Sequence, residues 1–169
     1  MVTLTDERWV DEHHAASNAA LVRRELLAGN AGRARFAPLF DGSPSVVGAV
    51  GTVWASLQDL PRPFDAVLLG MGEDGHFASL FSGNPGLDAA LDPLSVPACV
   101  AMQAPVEPRQ RISLNLAALL QTRRLFLFIT GTAKRELVMA AAQAGERPAW
   151  PVSAMLAQHQ PVTEVYWSA

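Results

Sequence analysis

Apolar and polar residues follow two rhythms along this chain. Two runs, Phe64-Asp65-Ala66-Val67-Leu68-Leu69 and Leu125-Phe126-Leu127-Phe128-Ile129-Thr130, are almost continuously apolar, the pattern of strands covered on both faces. Residues 2–5 are short and β-branched and predict an opening strand, and residues 96–103 and 162–167 predict two more. Elsewhere the spacing is helical. One helix starts at Ser17-Asn18, carries Leu21, Val22, Glu25, Leu26 and Leu27, and stops at Gly29. A second spans residues 44–60, with Val46, Val47, Val50, Trp54 and Leu57 on one side, and ends at Pro61-Arg62-Pro63. Further helices are expected over residues 114–120, from Gly131-Thr132 to about Gln143, and over residues 151–158. Residues 32–41 read as a loop with a short strand near Arg35-Phe36. Residues 76–81 read as a helix or turn, and residues 105–109 as a polar loop. Strands alternating with helices predict an α/β fold: an open, mostly parallel sheet with helices on both faces, in a single domain over residues 1–169.

Composition narrows the function classes. Half of the 169 residues are apolar and 17% are charged, a globular balance. The net charge is −3, and no basic stripe with interleaved aromatics is present, so nucleic acid is not an expected partner. No apolar run approaches the ~20 residues of a membrane span. Cys99 is the only cysteine and its neighbours are apolar, so it predicts a buried, inert thiol. The opening residues lack the basic start and apolar centre of a signal peptide. A reducing, cytoplasmic setting is expected. Trp54, Trp150 and Trp167 read as packing residues.

Ligands of open α/β sheets bind outside the carboxyl ends of the strands. Asp6, Glu7 and Arg8 follow the first predicted strand. Gly70-Met71-Gly72-Glu73-Asp74-Gly75-His76 follows the first apolar run, and Gly131-Thr132-Ala133-Lys134 follows the second. Cations, carboxylates and one histidine thus reach one sheet edge, which suits a small anion. Gly70, Gly72 and Gly75 spell the dinucleotide fingerprint, but Asn84-Pro85-Gly86 breaks the chain where that motif needs a long helix. A lone histidine is usually a surface or satisfied core residue. His76 stands apart from His13, His14 and His159 because it follows a buried strand with Asp74 two residues before it. No histidine pair has metal-ligand spacing, so no metal is expected. Lys134 lies in the first turn of its helix, where a cation opposes the helix dipole and a bound anion relieves it. Arg111 is a weaker candidate of the same kind.

These residues resemble the 6-phosphogluconolactonases. The resemblance is carried by Thr5-Asp6-Glu7-Arg8-Trp9-Val10, Ser17-Asn18, Arg111-Ile112-Ser113-Leu114, Thr130-Gly131-Thr132-Ala133-Lys134 and Pro151-Val152-Ser153. Its most specific block runs from Phe64 through Gly70-Met71-Gly72-Glu73-Asp74-Gly75-His76-Phe77-Ala78-Ser79-Leu80-Phe81. The related glucosamine-6-phosphate deaminases share the first half of that block but continue with Ile-Ala-Phe-Asn-Glu-Pro. Phe77 and Ser82 depart from the pattern, which usually has a smaller residue and a proline there. Family members also begin with a strand, a helix and a Ser-Gly-Gly-Ser phosphate loop. Nothing here matches that front, so a fold truncated at its N-terminal side is expected, with an exposed edge that invites association into a homo-oligomer.

The resemblance implies hydrolysis of 6-phosphoglucono-δ-lactone to 6-phosphogluconate, within the pentose phosphate pathway and without cofactor. It implies His76 as the base that activates water, since an imidazole titrates near neutrality. Asp74 or Asp6 is expected to orient that ring. Arg8, Lys134 and Arg111 are expected to hold the phosphorylated substrate, and amides of Gly70, Gly72 and Gly75 to face the oxyanion. Two other readings stay open at this point: an amino-sugar-phosphate isomerase or deaminase, and a non-catalytic sugar-phosphate binder or inactive fragment.

Overall fold

The computed structural model describes residues 1–143 and 150–169. The expected opening strand is two strands. β1 (Val2–Thr3) and β2 (Asp6–Arg8) are separated at buried Leu4 and at Thr5, and each joins a different sheet. α1 (Asn18–Glu25) is capped by Ser17, whose side chain accepts from the Ala20 amide. A 3-10 turn, Gly29–Arg33, leads into β3 (Phe36–Ala37), which pairs in parallel with β1. α2 (Val46–Ser56) is capped by Ser45. It buries Val46, Ala49, Val53 and Leu57, spaced at helical intervals, while Val47 is 73% exposed. The buried face is therefore rotated from the one expected, with Val50 and Trp54 packed at its border.

β4 (Val67–Gly70), β7 (Leu125–Thr130) and β8 (Thr163–Ser168) form a parallel sheet in the order β4-β7-β8. Both continuous apolar runs lie in it, but only one of its faces is buried where their pattern predicts two. Val67, Leu69, Leu125, Leu127 and Ile129 point into the core, each contributing about 1.5–3 kcal/mol of burial. On the opposite face the register places Leu68 beside Phe126, Gly70 beside Phe128, and Phe128 beside Tyr166. That face is open: Leu68, Phe128 and Tyr166 are each about half exposed. β4 and β1 are both edges, and a groove of about 650 Å³ lies between them.

β5 (Cys99–Gln103) and β6 (Gln110–Leu114) form an antiparallel sheet with β2, in the order β2-β6-β5. β6 was not legible in the sequence. Its burial is continuous from Arg111 to Leu114, but Arg111 and Ser113 are polar, so one buried face hides from an apolar reading. α3 (Leu87–Leu91) is a further short helix, formed where Asn84-Pro85-Gly86 read as a break. α4 (Leu116–Leu119), capped by Asn115, α5 (Thr132–Ala142) and α6 (Pro151–Leu156) fall where helices were expected, each slightly shorter. The α/β class and the preponderance of parallel pairings stand, with three of the five named strand pairings parallel.

Candidate active site

The Asp6-Glu7-Arg8 triplet is divided by strand alternation. Glu7 is fully buried and turns away from the neighbouring polar cluster. Its carboxylate accepts from the Asn18 and Ala19 amides at 2.8 and 2.7 Å, from Ser17 Oγ at 3.2 Å and from the Arg8 amide at 2.8 Å. It caps α1 and anchors that helix to β2, a structural role with no local signature in the sequence. Asp6 and Arg8 share the other face of β2. In the register Arg8 stands opposite Arg111 and Asp6 opposite Ser113, both on β6.

Two guanidinium groups are thus held side by side. Arg111 is buried, with Nε donating to the Pro108 carbonyl at 2.8 Å. Burial, and then the Arg8 charge, hold Arg111 below the usual arginine value, with Asp6 and Glu7 opposing. Arg8 donates from Nη1 to the Ala16 carbonyl at 2.6 Å, and its buried Nε has no partner among the described residues. An orphaned guanidinium N–H beside a second buried arginine is an arrangement that an anion completes. Burial pushes the Asp6 carboxyl above its ordinary value. The Ser79 hydroxyl, Arg8, Arg111 and His76 oppose that rise, in that order.

The loop after β4 delivers His76 to this cluster. Gly75 adopts φ +77° and packs so tightly on Trp150 that a side chain there would collide with the indole. Gly72 lies directly beneath the His76 ring and the Asp74 carboxylate, leaving no room for a Cβ. Both glycines are therefore required by close approach. Their amides are already engaged: Gly72 N–H donates to the His76 carbonyl at 2.9 Å and Gly75 N–H to the Gly72 carbonyl at 3.1 Å. The expectation that these two amides face an oxyanion is corrected accordingly. Gly70 has open space around it and borders the cavity described below.

His76 Nδ1 lies 2.5 Å from Asp74 Oδ1, and the His76 amide donates to the same oxygen at 3.3 Å. Burial alone would raise Asp74, but these bonds outweigh it and hold the carboxyl below its ordinary value. An ionised Asp74 fixes Nδ1 as the protonated ring nitrogen and leaves Nε2 as a free acceptor. The ring also packs on Phe81, with centroids 4.2 Å apart. Phe77, one of the departures from the family pattern, is fully buried in the core beneath the loop. Ala78 follows with φ 47°, a left-handed conformation that is unusual outside glycine.

Lys134 stands apart from this cluster. It lines a cavity of about 320 Å³ at the carboxyl ends of the parallel strands, with Gly70, Met71, Thr130, Tyr166 and Trp167. Gly70 and Met71 join that cavity to the His76 loop. Cys99 is buried, and burial pushes its thiol up to about 12, so it is inert as expected. Trp54 and Trp150 pack against the core, whereas Trp167 is 42% exposed beneath Arg135. Among the described residues no cluster of potential metal ligands occurs, and no helix is long and apolar enough to cross a membrane.

Comparison with known proteins places this arrangement. A 6-phosphogluconolactonase of Pseudomonas aeruginosa is 44% identical over 166 residues, which is 98% of this chain and 68% of that protein. One from Caulobacter vibrioides is 44% identical over 170 residues, covering 99% of this chain and 71% of that protein. The crystal structure of a 6-phosphogluconolactonase from Shewanella baltica superposes with a TM-score of 0.91 at 38% identity, over 99% of this chain and 71% of that one. A monomeric glucosamine-6-phosphate deaminase shares the fold alone, with a TM-score of 0.75 at 16% identity. Residues 1–167 match the family described as glucosamine-6-phosphate isomerases/6-phosphogluconolactonase, and with these relatives the match shows that the chain belongs to that family, on its lactonase side.

Proposed function

We propose that this chain hydrolyses 6-phosphoglucono-δ-lactone to 6-phosphogluconate with His76 as the general base. The observation that carries the reading is the His76–Asp74 pair, set beside Asp6, Arg8 and Arg111 at the carboxyl end of β4. Water attacks the lactone carbonyl as His76 Nε2 takes its proton. The tetrahedral oxyanion then collapses, the bond from the carbonyl carbon to the ring oxygen breaks, and the imidazolium returns the proton to that oxygen. Asp74 holds the ring tautomer, and ionised Asp6 favours the imidazolium that forms. Arg8, Arg111 and Lys134 supply positive charge to the phosphate and to the developing oxyanion. A cytoplasmic setting suits a sugar-phosphate substrate and a lone buried thiol.

The test is lactone hydrolysis at neutral pH, above the spontaneous rate, by the wild-type chain and His76→Ala. We expect the variant to lose at least about 100-fold in kcat. Equal turnover by both proteins overturns the assignment of His76. A folded wild-type chain that turns over no lactone but is thermally stabilised by 6-phosphogluconate is a binder rather than an enzyme. Ammonia release from glucosamine 6-phosphate would identify a deaminase.

A further inference from the structure

We propose that Ser79 is a positioning residue that holds Asp6 as a carboxylate beside His76 and locks the two sheets of the site in register. The inference rests on the reading of Asp6 and His76 given above. Asp6 sits on β2 of the antiparallel sheet, whereas His76 belongs to the loop after β4 of the parallel sheet. Ser79 joins them. Its Oγ donates to Asp6 Oδ2 at 2.6 Å, across 73 residues of sequence. Its amide donates to Ser113 Oγ at 3.2 Å, and Ser113 is the cross-strand partner of Asp6. One residue therefore grips both members of a single strand pair.

Ser79 is fully buried and holds Asp6, which is half-buried and lines the groove between β1 and β4. Among the described residues, the only other hydroxyl that hydrogen-bonds the Asp6 carboxylate is Thr5 Oγ1, at 3.5 Å from Oδ1. The charged and titratable groups facing Asp6 are Arg8 on its own strand, Arg111 on β6 and His76 on the loop after β4. Each acts on it through charge rather than through a short hydrogen bond. The left-handed turn at Ala78 is what swings the chain back so that Ser79 reaches β2 and β6. Without the Ser79 hydroxyl, only the charges of Arg8, Arg111 and His76 oppose burial, and Asp6 takes up a proton at a still higher pH. A neutral Asp6 no longer favours the imidazolium and no longer balances the paired arginines.

Three variants and two readouts test this. Ser79→Ala is expected to lower kcat/KM on the lactone by about tenfold or more at pH 6, as loss of a hydrogen bond to a charged group does. The loss should fall mainly on kcat and shrink as pH rises. Ser79→Thr keeps the hydroxyl and is expected to restore most of the activity. The second readout is a carbon-13 NMR titration of the Asp6 carboxyl, which should move to higher pH in Ser79→Ala. A purely structural Ser79 would give a pH-independent loss and an unchanged Asp6 titration, and either result overturns the proposal. If Ser79→Ala does not fold, Ser79→Cys, a weaker donor of similar size, must shift the titration in the same direction, and no shift rejects the idea. A wild-type chain without turnover sinks the lactonase reading alone, because the NMR titration still reports the Ser79–Asp6 bond.

Discussion

At the scale of single residues, the site joins groups whose protonation is pulled in opposite directions. Asp74 is held low by His76, whereas Asp6 is pushed up by burial. The second effect bears on stability. A carboxyl whose native value is raised favours the native state when protonated, and that advantage disappears as pH climbs from 3.8 through the raised value. Asp6→Asn carries no such titration. Its melting temperature is therefore expected to exceed that of the wild type at pH 8, with the gap closing as pH falls toward 4. Its kcat/KM should fall at least about tenfold, since a charge beside His76 is lost. Melting curves across that pH range check the first statement, and a wild type more stable than Asp6→Asn at pH 8 contradicts it. Activity and stability are set against each other at this position, as is common where a site holds a buried charge.

At the scale of elements, Glu7 shows how a functional strand is fixed in place. Four donors converge on its fully buried carboxylate, two of them the first free amides of α1. Glu7→Ala leaves those donors unpaired and should cost about 3 kcal/mol or more in urea unfolding, and Glu7→Gln less. Equal stability of Glu7→Ala and wild type would deny the cap. The same triplet explains what the sequence could and could not tell. Asp6, Arg8, Asp74 and His76 were found because they follow apolar strands, where site residues of α/β proteins collect. Glu7 looked like one more acid of the same group, since the alternation that turns it away depends on a strand break at Leu4-Thr5 that the β-branched run concealed. β6 was missed because its buried positions include Arg111 and Ser113, so its pattern spoke of a loop and then a helix. Ser79 lay inside the most specific block of sequence, yet its role depends on contacts 34 and 73 residues away, which no local pattern encodes.

At the scale of the whole molecule, the described residues cover only one face of the parallel sheet. Parallel strands are ordinarily covered on both, and the alternation in β4, β7 and β8 places apolar side chains on the open side as well. Phe126, Phe128 and Tyr166 cluster there, with the Phe128 and Tyr166 rings 5.4 Å apart, and Leu68 adjoins them on the edge strand. The Arg124–Glu164 pair, with N···O at 3.0 Å, is the polar border of this patch. An apolar face next to an unpaired strand edge drives association in water. The purified chain is therefore expected to self-associate as its concentration rises, to be followed by light scattering after size exclusion. A double variant, Leu68→Lys with Phe128→Lys, should shift the population to monomer without lowering the melting temperature by more than a few degrees, since both side chains are already about half exposed. A wild type that stays monomeric at every concentration would show that the open face does not drive association. A double variant that still associates would place the contact elsewhere on the surface.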